Sequence, residues 1–248
     1  MRNRKNIKPI LFSTPMVQAI LAGTKKQTRR VVSLPNSIEF PEEVEFTRMQ
    51  SGYPDGTRAV FGYMDEPNSF SVSGYQIGDV LWVRETWLKI IKDVEFEGRT
   101  TEFAYRANQK ENEEKFGHIK NGIGKRFIDA WKWKPSIFMP KEAARIFLKV
   151  IDVRVEELQD ITEADAIAEG IMVKKKYFEQ VCEIPISQIA NDVDVYHNYI
   201  TGFYERGCLH PEWSFASLWK KINGIESWDL NPLVWVISFE QIDKPEDF

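Results

Sequence analysis

A chain of 248 residues with 43% hydrophobic and 13% aromatic positions can bury a sizeable core, which excludes a low-complexity or disordered segment. No apolar run approaches the ~20 residues of a membrane span, and the basic opening, residues 1–13, lacks the apolar stretch of a secretory leader. Two cysteines, Cys182 and Cys208, cannot staple so large a chain, so a reducing cytoplasm is the expected setting.

In chain order, a short strand is expected at 9–12. Ser13-Thr14-Pro15 then reads as a helix start, a hydroxyl cap followed by a proline whose missing N–H costs nothing there. Met16, Val17, Ile20 and Leu21 line one apolar face and Gly23 supplies the stop. The helix so delivers Thr24-Lys25-Lys26-Gln27-Thr28-Arg29-Arg30 beyond its C-terminus, as a turn. Residues 33–75, rich in Pro, Gly, Ser and acids, read as a long excursion with one hairpin about Tyr53-Pro54-Asp55-Gly56. Gly78-Asp79 turns into a strong strand at 80–84, and 102–107 is a weaker one. Apolar alternation predicts a long strand over 144–155. Thr162-Glu163-Ala164-Asp165 resembles a capping box, with Asp for the usual Glu or Gln, and opens a short helix through Glu169 that Gly170 ends. A mixed aromatic stretch covers 172–212. A short amphipathic helix follows at 214–222, stopped by Asn223-Gly224, and a final strand at 233–239. Separated strands, few long helices and no βαβ alternation predict an α+β fold: a small, mostly antiparallel β-barrel with short rim helices and long insertions.

The formal charge of −4 hides a partition. Residues 1–30 hold eight basic side chains and no acid, against 25 basic and 37 acidic residues in the rest. A second basic stretch, 120–149, interleaves eight Lys/Arg with Phe127, Trp131, Trp133, Phe138 and Phe147, whereas 156–170 holds six acids and no base. Clustered cations can neutralise phosphates and flat aromatics offer faces to unpaired bases; solvated charged faces over core aromatics would look the same.

The metal and phosphate motifs are missing. Cys182, His197, Cys208 and His210 match no common zinc spacing, and neither Cys-x-x-Cys nor His-Glu-x-x-His occurs, so no metal and no cofactor is expected. Gly122-Ile123-Gly124-Lys125 is followed by Arg126 where a phosphate loop needs Ser or Thr, and no Gly-x-Ser-x-Gly supplies a nucleophile elbow.

Three places suit chemistry. Lys25 and Lys26 are favoured electrostatically beyond a helix C-terminus, but Lys25 also stands three residues from Thr28, and an amine relieved of its proton by burial can activate a hydroxyl. Glu169 meets the negative end of a helix dipole, which raises a carboxyl pKa toward the range useful for proton transfer unless a cation intervenes; a solvated surface Glu is the plainer alternative. Arg84-Glu85-Thr86-Trp87 follows a strand end, a usual place for a pocket rim, and would also suit an exposed ion pair beside a packed Trp.

Together these segments resemble the ASCH family, whose fold is similar to the PUA RNA-binding barrel. The resemblance rests on residues 20–30 (ILAGTKKQTRR), Gly78-Asp79-Val80-Leu81, residues 158–170 (LQDITEADAIAEG) and the strand 234–240. Over nearly its whole length the chain looks like the large ASCH proteins of phages and prophages, with GDVLWVRETW and a Trp-rich tail (Trp219, Trp228, Asn231-Pro232, Trp235). The resemblance implies one ASCH/PUA-like domain with its core at about 5–32, 76–107, 141–171 and 214–243 and insertions at about 33–75, 108–140 and 172–213. Small bacterial members deacetylate N4-acetylcytidine with a Lys and a Thr of a Lys-x-x-Thr-x-Arg turn and a Glu ending a later helix. Carried over, these fall on Lys25, Thr28 and Glu169, with Arg30 as the arginine: Thr28 the nucleophile, Lys25 activating it, Glu169 exchanging protons, without a metal. Lys26, Arg29, Arg30, Arg84, Glu85, Trp87, Tyr105 and Arg106 are the expected substrate or nucleic-acid contacts. Thr24 replaces a basic residue of the small enzymes, and Lys26 and Arg29 are extra charges in the turn. Three functions stay open: a modified-base amidohydrolase, a non-catalytic module binding a nucleoside or single-stranded RNA, and a phage-encoded protein-interaction scaffold. No membrane partner is expected.

Overall fold

The computed structural model describes residues 6–33, 45–53, 56–63, 66–94, 98–116, 133–175, 194–202, 210–246 and 248. Outside them lie both cysteines, His118, Gly122-Ile123-Gly124-Lys125, residues 120–132 of the second basic stretch and the Pro54-Asp55 turn centre. In chain order the elements begin β1 (Ile7–Leu11), α1 (Thr14–Leu21), β2 (Gln27–Val31), β3 (Glu45–Tyr53), β4 (Gly56–Tyr63) and β5 (Glu66–Val72). Next come β6 (Val80–Arg84), β7 (Trp87–Val94), β8 (Gly98–Tyr105), α2 (Gln109–Phe116) and β9 (Phe147–Glu157). The series ends with α3 (Glu163–Ala168), β10 (Val173–Lys175), β11 (Asp194–Tyr196), α4 (Pro211–Asn223) and β12 (Leu233–Ile242). This is a mixed α+β fold. Its five-stranded sheet has the order β1-β6-β9-β12-β2, and among the described residues the pairings do not return on themselves. No described helix is long and apolar enough to cross a membrane.

The chain divides into two compact units. The first comprises Met1–Ala22, Asp79–Lys149 and Gln241–Phe248, and the second Gly23–Gly78 and Val150–Glu240. In the first, β1 runs parallel to β6, with Ile7 opposite Val80 and Leu11 opposite Arg84. The start of β9 is antiparallel to β6, with Val80 opposite Lys149. Val80, Leu81, Trp82 and Val83 are all buried, the mark of a strand covered on both faces, which is why its sequence is a continuous apolar run. Ser13 caps α1 with its carbonyl, which accepts from Val17 N at 3.0 Å, rather than with its hydroxyl, and Pro15 follows in the first turn. Val80, Trp82, Ala144 and Phe147 form a core with Ile7, Ile242 and Phe248, whose ring meets that of Phe147 edge-on at 4.6 Å. β7 and β8 form a hairpin with Trp87 opposite Tyr105.

In the second unit β12 is antiparallel to β2, and β3, β4 and β5 form a meander in which Tyr53 stands opposite Gly56. The expected hairpin is therefore present, with a third strand added. α3 begins as its sequence predicts, Thr162 Oγ1 accepting from Asp165 N at 3.2 Å. It ends at Gly170, whose φ of +79° is the left-handed conformation that glycine adopts without steric cost. Leu158, Ala166, Phe215, Trp219, Val234 and Val236 belong to this unit's core.

One expectation is corrected. Residues 25–30 are not a free turn: Lys25 makes an isolated bridge and Gln27 already begins β2. The stretch carries no turn former after Gly23, and backbone pairing with β12 satisfies its polar groups while the side chains are buried.

Candidate functional site

The site is set by the two edges of β2. Lys26 O accepts from Phe239 N at 2.8 Å and Val32 N donates to Leu233 O at 2.9 Å. Within β2 the even-numbered Thr28 and Arg30 therefore turn their backbone groups toward β12, while Lys26, just before the strand, turns only its carbonyl that way. Odd-numbered residues, Gln27 and Arg29 among them, turn theirs to the other side, where β2 ends the sheet. The C-terminal end of α3 closes that side. Lys26 N donates to Ala168 O at 2.7 Å, and Lys25 and Glu169 form an antiparallel bridge.

Lys25 is the tie. Its Nζ donates to Gln27 O at 2.8 Å, to Glu169 O at 2.9 Å and to Glu169 Oε2 at 2.9 Å, all buried. An ammonium has three donors, and here one meets an edge-strand carbonyl, one a helix-end carbonyl and one a carboxylate. Arg29 completes the carboxylate, its Nη1 lying 3.1 Å from Glu169 Oε1. Its Nη2 reaches Glu156 Oε2 at 3.1 Å and Asp165 Oδ2 at 3.4 Å. Arg154 extends the network to both Asp165 oxygens, to Asp152 and to Glu156. Gln27 Nε2 donates to Asp165 O at 2.9 Å, and the Arg29 guanidinium lies 5.6 Å from the centre of the Phe215 ring. Burial pushes the Lys25 ammonium below the ordinary lysine range, against the opposing pull of Glu169, and Arg30 and Arg29 lower it further. Burial alone would raise Asp165, but Arg29 and Arg154 hold its carboxyl below the usual range.

Of the expected catalytic set, Lys25 and Glu169 are thus in direct contact. Thr28 is 1% exposed and stands between Gln27 and Arg29, both of which reach the α3 segment. Side chains alternate along a strand, so the Thr28 hydroxyl points to the opposite face of β2. The link between the two is the peptide group joining Gln27 to Thr28, whose carbonyl Lys25 holds. Lys26 is exposed and contributes backbone bonds; Arg30 is half-buried and donates to Arg29 O at 3.3 Å. Sequence reasoning names none of Arg154, Glu156 and Asp165 as a site residue. Their signal is the acid-only run 156–170, which demands cations from elsewhere in the chain.

The remaining expected residues belong to the first unit. Glu85 is 1% exposed and holds Arg145 in a two-pronged pair, Nε to Oε1 at 2.8 Å and Nη2 to Oε2 at 3.0 Å. Arg145 Nη2 also donates to Asn108 Oδ1 at 2.7 Å, and its guanidinium lies 3.9 Å from the centre of the Tyr105 ring. Glu85 therefore anchors structure. Arg84 lies 5.5 Å from the centre of the Trp82 ring and donates to Ile137 O; Trp87 is buried against Met139 and Ala143; Arg106 is exposed.

Tyr105 OH donates to Ala143 O at 2.7 Å, and burial pushes its pKa up to about 12, Arg145 opposing and Glu85 adding. The folded chain holds this proton more tightly than the unfolded one. Its contribution to stability is complete below the ordinary value of 10.0 and is lost as pH rises through about 12. The ultraviolet difference titration of wild type against Tyr105→Phe is expected to show one phenolate forming near pH 12; a difference centred near 10 would contradict the burial of this ring.

No family model, no curated protein and no solved structure matches this chain.

Proposed function

We propose that the protein is a cytoplasmic amidohydrolase of the ASCH type, built on a PUA-like barrel and acting on an N4-acylated cytidine or a related modified base. The buried Lys25–Glu169 pair carries the reading. Residues far apart in the chain bring an amine and a carboxylate to 2.9 Å, beside Arg29 and one peptide group from Thr28. A buried ion pair adds little stability over an apolar pair of the same volume, so its presence invites a chemical role. In this mechanism Thr28 Oγ1 attacks the acyl carbonyl. Burial weakens the hold of the Lys25 ammonium on its proton, which passes to the Glu169 carboxylate 2.9 Å away. The amine so formed takes the Thr28 hydroxyl proton through one water, since the two side chains leave opposite faces of β2. Glu169 delivers its proton to the departing exocyclic amine, and water then hydrolyses the Thr28 ester.

A second reading, a nucleoside- or RNA-binding module without catalysis, is favoured by a specific observation. The three donors of the Lys25 ammonium are directed at protein acceptors, and strand alternation sets the Thr28 side chain on the face of β2 opposite Gln27 and Arg29.

Chromatography of N4-acetylcytidine incubated with the protein separates the two. The enzymatic reading expects cytidine and acetate from wild type and at least a ~100-fold slower release from Thr28→Ala, the usual scale for losing a positioned catalytic group. An intact nucleoside in the wild-type reaction would leave the binding module, which predicts RNA retention that weakens steeply with salt and with Arg30→Ala.

A further inference from the structure

We infer that Glu163, His210 and Glu212 form a binding site for a divalent transition-metal ion of the zinc class. Glu163 opens α3, His210 is the residue before α4 and Glu212 lies in the first turn of α4, so one site is assembled from the starts of two helices of the second unit. One ligand atom from each, two carboxylate oxygens and an imidazole nitrogen, lies within 4.8 Å of the others. Ligands held at about 2.0–2.2 Å from a zinc ion lie roughly 3–4 Å from each other, so small side-chain rotations close the set. Those rotations are available: His210 and Glu163 are exposed, and their nearest atoms, Nδ1 and Oε1, are 4.0 Å apart. The chain also presets the donors. Pro211 fixes the first turn of α4 after an extended His210, whose ring packs edge-on against Trp213 at 4.6 Å.

An independent observation points to a ligand. Glu212 Oε2 is closed off from solvent and has no hydrogen-bond donor among the described residues. Helix N-termini favour acidic side chains, which accounts for a Glu in each first turn. It does not account for an enclosed carboxylate oxygen without a partner, an arrangement that costs free energy unless an ion or water completes it. An imidazole among the donors selects zinc, copper or nickel over magnesium, calcium and manganese, which prefer oxygen shells. Histidine and cysteine spacing could not reveal this set, because two of its three members are carboxylates on separate helices.

The test is calorimetric titration of zinc chloride into the full chain after chelator treatment, with cobalt absorption as a second readout. One zinc per chain is expected, with affinity reduced at least ~10-fold in both His210→Ala and Glu212→Gln and the cobalt d–d bands altered in both. Magnesium is expected to bind far more weakly. Circular dichroism verifies that each variant is folded, and Glu163→Gln, a change at an exposed position, provides a third variant should either of the others unfold. Absence of zinc binding by wild type, or undiminished binding by a folded triple variant, would overturn the assignment.

Discussion

Glu169→Ala is expected to destabilise the protein by about 3–5 kcal/mol, the scale for removing one partner of a buried ion pair. The Lys25 and Arg29 side chains, each 1% exposed, both bind this carboxylate and would be left facing one another without it. Such a loss is a large part of the roughly 5–15 kcal/mol that hold a typical domain together. Urea unfolding followed by circular dichroism measures it. Glu169→Gln, which keeps an acceptor for Lys25 but not the charge, is expected to fall between wild type and Ala. Lys25→Met combined with Glu169→Leu is expected to recover much of the loss, since an apolar pair of similar volume often matches a buried salt bridge. A cost below about 1 kcal/mol for Glu169→Ala, the range of an exposed pair, would mean that the carboxylate is solvated.

Arg145→Ala is the corresponding experiment in the first unit, and a loss of about 3–5 kcal/mol is again expected. The variant strands the buried Glu85 carboxylate, frees Asn108 Oδ1 and uncovers the Tyr105 ring. Arg145→Lys keeps the charge but not the planar fork, and should retain only part of the stability. The neighbouring Arg106 is exposed, and its replacement by alanine should stay within about 0.5 kcal/mol. Equal midpoints for Arg145→Ala and Arg106→Ala in thermal and urea unfolding would sink the claim that Glu85 depends on this guanidinium.

Several local features are legible in the sequence because their causes are local. The proline start of α1, the Thr162 cap, the glycine stop of α3 and the Asn223-Gly224 end of α4 each depend on a few adjacent residues. β6 is legible as an apolar run and β9 as an apolar alternation. The strand character of Gln27–Val31 is not, because a polar QTRRV segment becomes a buried strand only when β12 pairs with it and acids from 156–169 neutralise its arginine. β7 is missed for a similar reason: its pairing with β8 is what makes Trp87–Val94 a strand. At the candidate site, helix-end electrostatics singles out Lys25 and Glu169 separately, but their contact spans 144 residues and no local rule predicts it. The same holds for Glu85, whose sequence position suggests a pocket rim and whose partner Arg145 makes it a buried anchor.

The closure of β2 by a helix end has a consequence for handling the protein. An outermost strand with unsatisfied backbone groups is a template for pairing with another molecule, and most proteins guard against this with charge, proline or a covering element. Here the cover is fastened by Lys25 and Glu169 together with Gln27, Arg29 and the Lys26 amide, so a variant that weakens these ties loosens the element that shields the outer edge of β2. Variants at these positions are therefore expected to show more intermolecular β-association than wild type by light scattering.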